Sequence, residues 1–206
     1  MKKNKLIAIA TALLIAVALT GCTEEKAPEQ QVTAALITLS LTEADFSEGS
    51  VKGDEGSNFS GDPIQGITPI EFYYAVYLAQ NPHNETFTHW VRLFLYKFNT
   101  SDEATIALQN LSEQQAREFP EFNRTTPSDI EKIGDESSFE VFQRLLPYTN
   151  ETSSNVTHTF SYIFFRKANV VVFLVTEGAS TGETDYVDLT ITYAKTVEAK
   201  INASLK

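Results

Sequence analysis

Eight asparagines lie in the pattern Asn-x-Ser/Thr, in which the side-chain amide can accept an N-linked sugar. They are eight of the ten asparagines that follow Cys22, where the serine and threonine content predicts about two such patterns by chance. A sugar chain is bulky and hydrated, so each used site must lie on the surface. The alternative is coincidence in a chain rich in serine and threonine. The predicted glycosylation sites are Asn58, Asn84, Asn99, Asn110, Asn123, Asn150, Asn155 and Asn202.

The only cysteine, Cys22, follows a segment with the layout of an export signal. Its apolar run, Leu6 to Leu19, has 14 residues and would span about 21 Å as a helix, which is short of the ~30 Å hydrocarbon core. The residues Leu19-Thr20-Gly21-Cys22 resemble the lipobox of prokaryotic lipoproteins. The resemblance implies cleavage before Cys22 and a diacylglyceryl thioether on its sulfur. An ordinary signal peptide with an incidental buried cysteine is the alternative.

These features together predict where the protein resides. We expect a signal peptide at 1–21, a flexible polar tether at 22–34, and attachment of Cys22 to the extracytoplasmic face of the cell membrane through lipid. A bacterial-style lipobox combined with many sequons indicates an archaeal cell surface. The formal charge is −11, and without the three lysines of the leader it is 13 − 27 = −14, which argues against a nucleic-acid partner.

The polar residues match none of the motifs that enzymes commonly use. The histidines, His83, His89 and His158, lack zinc-ligand spacing, although a site shared by His83, His89 and a carboxylate is conceivable. The chain has no Gly-x-Ser-x-Gly, phosphate loop or dinucleotide fingerprint, and the acids at 45–62 lack the spacing of an EF-hand. We therefore predict no catalytic residue, no metal and no cofactor.

Aromatic residues on predicted strands are the remaining candidates for binding. A strand at Ile70–Ala79 carries tyrosines on one face, and a second strand at Thr86–Phe98 completes an antiparallel hairpin. If helices leave the aromatic face open, its rings would form a groove for sugars, lipid or aliphatic groups. If helices cover it, the rings are core. The candidate ligand-binding residues are Tyr73, Tyr77, Trp90 and Tyr96.

The remaining elements predict a single α+β domain at 35–206. A capping box at Thr100 and Glu103 starts a helix that ends by Pro120. The turn Lys167-Ala168-Asn169 suits a left-handed asparagine. We expect a mostly antiparallel sheet of about six strands packed by two main helices. The other predicted elements are a strand at 35–41, a loop at 45–69, a helical turn at 128–133, strands at 139–146, 157–167 and 169–176, and a helix at 186–205.

Four fragments resemble a known group of proteins. They are a strand end at Tyr96-Lys97-Phe98 before the capped helix, a turn at 133–137, a hairpin at 165–172 and the closing helix at 194–201. Over most of 70–205 the chain resembles small exported lipoproteins and extracytoplasmic sensor domains with PsbP/Mog1-like or kinase-sensor-like α+β folds. The resemblance implies a fold and a binding or accessory role, and it carries over no catalytic residue.

The sequence thus favours a non-catalytic, lipid-anchored, N-glycosylated lipoprotein whose domain binds a ligand or partner outside the membrane. A small molecule, a glycan or an envelope protein would each fit that role. The alternative is a structural or adhesive glycoprotein of the cell envelope without a small-molecule pocket.

Overall fold

The computed structural model describes residues 29–58, 63–81, 84–115, 117, 121–127, 130–146, 156–180 and 186–206. These residues form one antiparallel sheet with strand order β1-β2-β3-β7-β6-β5-β4 and a helix on each face. The α+β prediction is confirmed, with seven strands where about six were expected. The strands are β1 Val51–Gly56, β2 Glu71–Asn81, β3 Asn84–Lys97, β4 Asn123–Thr125, β5 Glu136–Leu146, β6 Val156–Lys167 and β7 Val170–Ser180, and the helices are α1 Ser101–Gln115 and α2 Tyr186–Ser204.

The central strand is β7, because both of its faces are covered. Val170, Val172 and Leu174 pack into the core beneath α2, whereas Val171 and Phe173 pack into the core beneath α1. An unbroken apolar run is what a strand buried on both sides requires. The prediction that Val170–Val175 lies in the middle of the sheet is therefore confirmed.

The Thr100 half of the predicted α1 capping box forms, whereas Glu103 bonds to the residue before the cap and not to the cap itself. The Thr100 hydroxyl accepts from the Glu103 amide at 3.1 Å, and the Glu103 carboxylate accepts from the Asn99 amide at 3.0 Å. The helix ends at Gln115, while Pro120 lies outside the described residues.

The first half of the chain differs from prediction in two places. Residues 36–39 form a 3₁₀ helix, not a strand, and Leu36 and Leu39 are its buried residues. A period of three residues per turn puts these two leucines on one side. The predicted 45–69 loop contains β1, which pairs with β2. Its sequence is polar because β1 is an edge strand with exposed side chains, so no apolar alternation marks it.

Two features around β5 differ from what the sequence predicted. Residues 130–133 of the expected helical turn are not helical, and 128 and 129 lie outside the described residues. The short edge strand β4 was not predicted, because all three of its residues are exposed and carry no apolar pattern.

The β6–β7 turn and the start of the domain are linked through one asparagine. The left-handed residue is Ala168, at φ 52°, and not Asn169. The buried Asn169 side chain accepts from the Val32 amide at 2.8 Å and donates to the Phe98 carbonyl at 2.8 Å. Val32 falls in the expected 22–34 tether, yet it is only 2% exposed and bridges to Leu205. The packed part of the domain therefore begins before residue 35.

Candidate functional site

Tyr73 and Tyr77 lie on the α2 face of β2, where they form part of a filled core. They are 3% and 0% exposed. The Tyr77 hydroxyl donates to the Leu41 carbonyl, and its ring packs 4.7 Å from that of Phe46. The Tyr73 hydroxyl donates to the Glu55 carboxylate at 2.5 Å. Burial raises the pKa of both phenols. Of the two alternatives for these tyrosines, an open groove or a covered core, the structure supports the covered core.

Trp90 and Tyr96 lie on the opposite, α1 face. Tyr96 is only 8% exposed, its ring lies 5.1 Å from that of Phe72, and burial raises its pKa to about 12. Trp90 is 42% exposed. The four candidate residues are thus divided between the two faces of the sheet, and they do not form one groove.

Helix α1 covers only part of its face. Its buried residues, Ala104, Ala107 and Leu108, pack with side chains from β5, β6 and β7. On the uncovered part, Trp90 lies opposite Leu78 of β2 and opposite Glu177 of β7. The next pair along this face is Arg92 and Val76. We call this uncovered region the Trp90 surface, and it consists of Val51, Val76, Leu78, Trp90, Arg92 and Glu177.

A charged cluster borders the indole of Trp90. The guanidinium of Arg92 lies 2.6 Å from Glu177, and the imidazole Nε2 of His158 lies 3.3 Å from the other oxygen of the same carboxylate. Side-chain exposure is 40% for Arg92, 26% for His158 and 16% for Glu177. Glu177 is therefore held from two sides, while Arg92 remains open to solvent.

Sequence reasoning found Trp90 but missed its charged neighbours. The alternation along β3 already puts Arg92 on the same face as Trp90. Glu177 was missed because the predicted strand ended at Thr176, whereas β7 continues to Ser180. The pairing of Trp90 with Glu177 depends on strand register, which the sequence pattern does not specify.

A bulge in β1 keeps one edge of the indole uncovered. The register between β1 and β2 shifts between Lys52 and Asp54. A Cβ atom built on the intervening Gly53 would lie 3.9 Å from Cζ3 of Trp90. A larger side chain at this position would therefore lie against the ring.

His89 is a core residue on the α2 face of β3. It is 0% exposed, and its Nε2 lies 3.3 Å from the hydroxyl of Tyr193. Its Nδ1 is buried and has no hydrogen-bond partner among the described residues. Burial lowers the pKa of His89 to about 4, so the imidazole is neutral near pH 7. His83 lies outside the described residues, and no cluster of metal-ligating side chains occurs among the residues described.

The sequons differ in accessibility. Asn58, Asn99, Asn123 and Asn202 are exposed, as glycosylation requires. Asn110 departs from the expectation, because its Nδ2, the atom that would carry the sugar, is buried and has no partner within the described part of the chain. Asn84 begins β3, whereas Asn150, Asn155 and the proposed lipid site Cys22 lie outside the described residues.

A cavity of about 460 Å³ lies beside Tyr73 and is lined by both carboxylates and apolar groups. Its two carboxylates are already paired, Glu55 with Lys52 at 2.9 Å and Glu71 with Lys97. A larger cavity of about 550 Å³ lies between α1 and residues 130–138. Neither cavity contains any of the aromatic candidates other than Tyr73. In the part of the chain that the structure describes, no helix has the length and apolar character needed to cross a membrane.

Similarity to known proteins supports the fold and identifies no residue of the site. No family model matches the chain, and no curated protein matches it. The chain is similar to the extracellular domain of PknH from Mycobacterium tuberculosis, with 13% identity, a TM-score of 0.54, and coverage of 84% of this chain and 98% of that one. LpqN of Mycobacterium tuberculosis, involved in cell envelope biogenesis, matches with 13% identity over 81% of this chain and 97% of that one, at a TM-score of 0.27 that supports no conclusion. The chain therefore has a fold similar to that of the PknH extracellular domain.

Proposed function

We propose that this chain is an exported, lipid-anchored and N-glycosylated lipoprotein whose α+β domain binds a partner outside the membrane and catalyses no reaction. The observation that carries the proposal is the Trp90 surface. The lipobox-like segment before Cys22 supports the anchor, and the exposed sequons support glycosylation. The fold shared with the extracellular domain of PknH is consistent with this location.

The Trp90 surface has the composition of a binding site. Single exposed apolar residues are normal on proteins, but here the half-exposed Trp90 adjoins Leu78, with the 51% exposed Val51 beyond it in the same row. Tryptophan and arginine are the residues that most often dominate binding energy. Burying such a patch against a partner would contribute roughly 25 cal/mol of favourable binding free energy for each Å² of apolar area removed from water.

The N-terminal segment supports an orientation in which this surface faces away from the membrane. Glu29 accepts from the Ser101 amide at 2.7 Å, so the chain enters at the end of the sheet where β3 stops. Glu29 is the seventh residue after Cys22, so the segment between them spans at most about 25 Å. Trp90 lies seven residues before the last residue of β3, or roughly 23 Å along the strand. A lipid at Cys22 would hold the Lys97 end of β3 near the bilayer and leave Trp90 on the distal half.

The anchor is tested by fractionating host cells that express the full chain with Cys22→Ser. We expect the variant to leave the membrane fraction, while the matched variant Thr23→Ser stays in it with a diacylglyceryl mass on Cys22. An unmodified Cys22 in the wild-type chain would overturn the lipoprotein assignment.

The binding function is tested by hydroxyl-radical footprinting of Trp90 on intact cells and on the purified full chain in detergent. If a partner occupies the Trp90 surface, indole oxidation will be several-fold slower on cells than after purification. Leu145, which is 61% exposed on the other sheet face, serves as the internal reference. Equal oxidation of Trp90 in both preparations would contradict the proposal.

A further inference from the structure

We propose that the Trp90 surface is a binding site for a neutral oligosaccharide, in which one sugar ring stacks on the indole and its hydroxyls bind Arg92 and Glu177. This inference rests on the proposed function and names the class of ligand. Three observations support it: the exposed ring, the adjoining charged cluster and the glycine at position 53 beside the ring edge.

The indole offers a platform of the right chemical kind. A pyranose ring has an apolar C–H face and a rim of hydroxyl groups, so it needs an exposed aromatic ring surrounded by hydrogen-bonding groups. Trp90 is exposed on an open sheet face next to Leu78 and Val76. A Cβ at Gly53 would lie in van der Waals contact with the ring edge, so the glycine keeps this edge free of a side chain.

The charged cluster is placed to hold the rim of that ring. Glu177 is directly opposite Trp90 across the β3–β7 pair, at a Cα separation of about 5 Å, and Arg92 is two residues along the same face at roughly 7 Å. A guanidinium has five N–H donors, so the Arg92–Glu177 contact leaves several of them for sugar hydroxyls. On Glu177 the oxygen near Arg92 is buried, so the oxygen that faces His158 is the one that would accept from a hydroxyl. Because Arg92 and His158 both contact Glu177, its carboxylate is ordered before a ligand binds. Binding therefore costs little side-chain conformational entropy at this residue.

Two observations favour a neutral sugar over other partners. Acidic residues are depleted at the centre of protein–protein interfaces, whereas Trp90 has Glu177 directly opposite it. The charge of −14 on the part of the chain after the leader opposes the approach of an anionic polysaccharide. The small platform, its charged border and the acidic protein together fit an uncharged oligosaccharide.

The test uses the full chain in a detergent without a sugar headgroup. Because Trp90 is the only tryptophan, its fluorescence reports on this surface alone. The probes are cellohexaose, chitohexaose and maltohexaose, with an anionic hyaluronan hexasaccharide for comparison. We expect at least one neutral probe, and not hyaluronan, to shift the emission to shorter wavelength and to give saturable binding by calorimetry.

The variants separate the roles of the residues. Trp90→Ala should weaken binding by at least about tenfold and Glu177→Gln by about fivefold, with an unchanged circular dichroism spectrum that shows each variant is folded. Trp90→Phe keeps a ring and should give an intermediate loss. The control, Leu145→Ala, removes an exposed apolar residue from the other face and should bind as the wild type does.

Two results would overturn the inference: none of the neutral probes binds, or a probe binds with equal affinity to the Trp90→Ala variant. If Trp90 is nevertheless protected on cells, the binding function stands and the partner belongs to another class, such as a protein. If protection is also absent, the proposed function fails as well.

Discussion

Lowering the pH from 7 to 4 should destabilise the domain through the buried imidazole of His89. Burial lowers the pKa of this histidine from 6.5 to about 4 in the folded protein. In the unfolded chain the imidazole is hydrated and regains its ordinary pKa. Between these two values the unfolded state binds a proton that the folded state does not bind. The free energy of unfolding must therefore fall as the pH falls from 6.5 to 4.

The magnitude follows from the pKa difference. Each pKa unit corresponds to 1.36 kcal/mol, so the interval from 6.5 to about 4 corresponds to about 3 kcal/mol of lost stability. A small domain has a total stability of only roughly 5–15 kcal/mol, so the effect should be easily measured. Asp45 and Asp135 have pKa values below the ordinary 3.8, because hydrogen bonds and nearby cations outweigh the effect of burial. Their contributions are lost only as the pH falls below about 4, outside the window of His89.

The measurement is urea unfolding by circular dichroism at several pH values between 7 and 4, for the wild type and for His89→Phe. Phenylalanine keeps a ring beside Tyr186 and Tyr193 but cannot titrate. It leaves the Tyr193 hydroxyl without its partner, which should cost about 1–3 kcal/mol at pH 7. Between pH 7 and pH 4 the wild type should lose about 3 kcal/mol more than the variant, so that at pH 4 the variant is as stable as the wild type or more stable. Parallel curves for wild type and His89→Phe would refute the reasoning.

Three substitutions test the packing that supports the site, each measured by urea unfolding at pH 7. Asn169→Ala removes buried hydrogen bonds to Val32 and Phe98 and should cost about 2–5 kcal/mol; a loss below about 1 kcal/mol would show that these bonds do not hold the N-terminal segment in place. Ala168→Gly relieves the steric penalty at φ 52° but removes a buried methyl group, so stability should change by less than about 1 kcal/mol, and a loss above about 2 kcal/mol would argue against a left-handed turn here. Thr100→Ala deletes the N-cap of α1 and should cost about 1 kcal/mol, whereas an unchanged stability would mean that the cap contributes nothing.

Much of the fold could be predicted because most strands alternate and both helices have recognisable patterns. The β2–β3 hairpin, the Thr100 cap and the central position of Val170–Val175 all followed from such patterns. The edge strands β1 and β4 could not be predicted in this way. Their side chains are exposed on both faces, and the backbone hydrogen bonds that define them leave no trace in the apolar pattern.

The candidate site was predictable only in part. Alternation along β2 puts Tyr73 on the opposite sheet face from its sequence neighbours. It does not predict which face a helix will cover, since both faces carry aromatic residues. The 3₁₀ helix at 36–39 and the segment that follows it pack on β2 and cover Tyr77, whereas α1 leaves the Trp90 end of the other face open. The contact of Trp90 with Glu177 depends on the register of β3 with β7, which arises only when the whole sheet forms.

The most direct test of the central claim is native mass spectrometry of the full chain extracted from membranes of its own host in a mild detergent. The covalent mass should show a diacylglyceryl group on Cys22 and glycans on exposed sequons such as Asn123, with none on Asn110. A non-covalent partner should be retained by the wild type and by Leu145→Ala, and lost from Trp90→Ala. An unmodified Cys22, or a protein that carries no partner in any of the three forms, would contradict the assignment of a lipid-anchored binding protein.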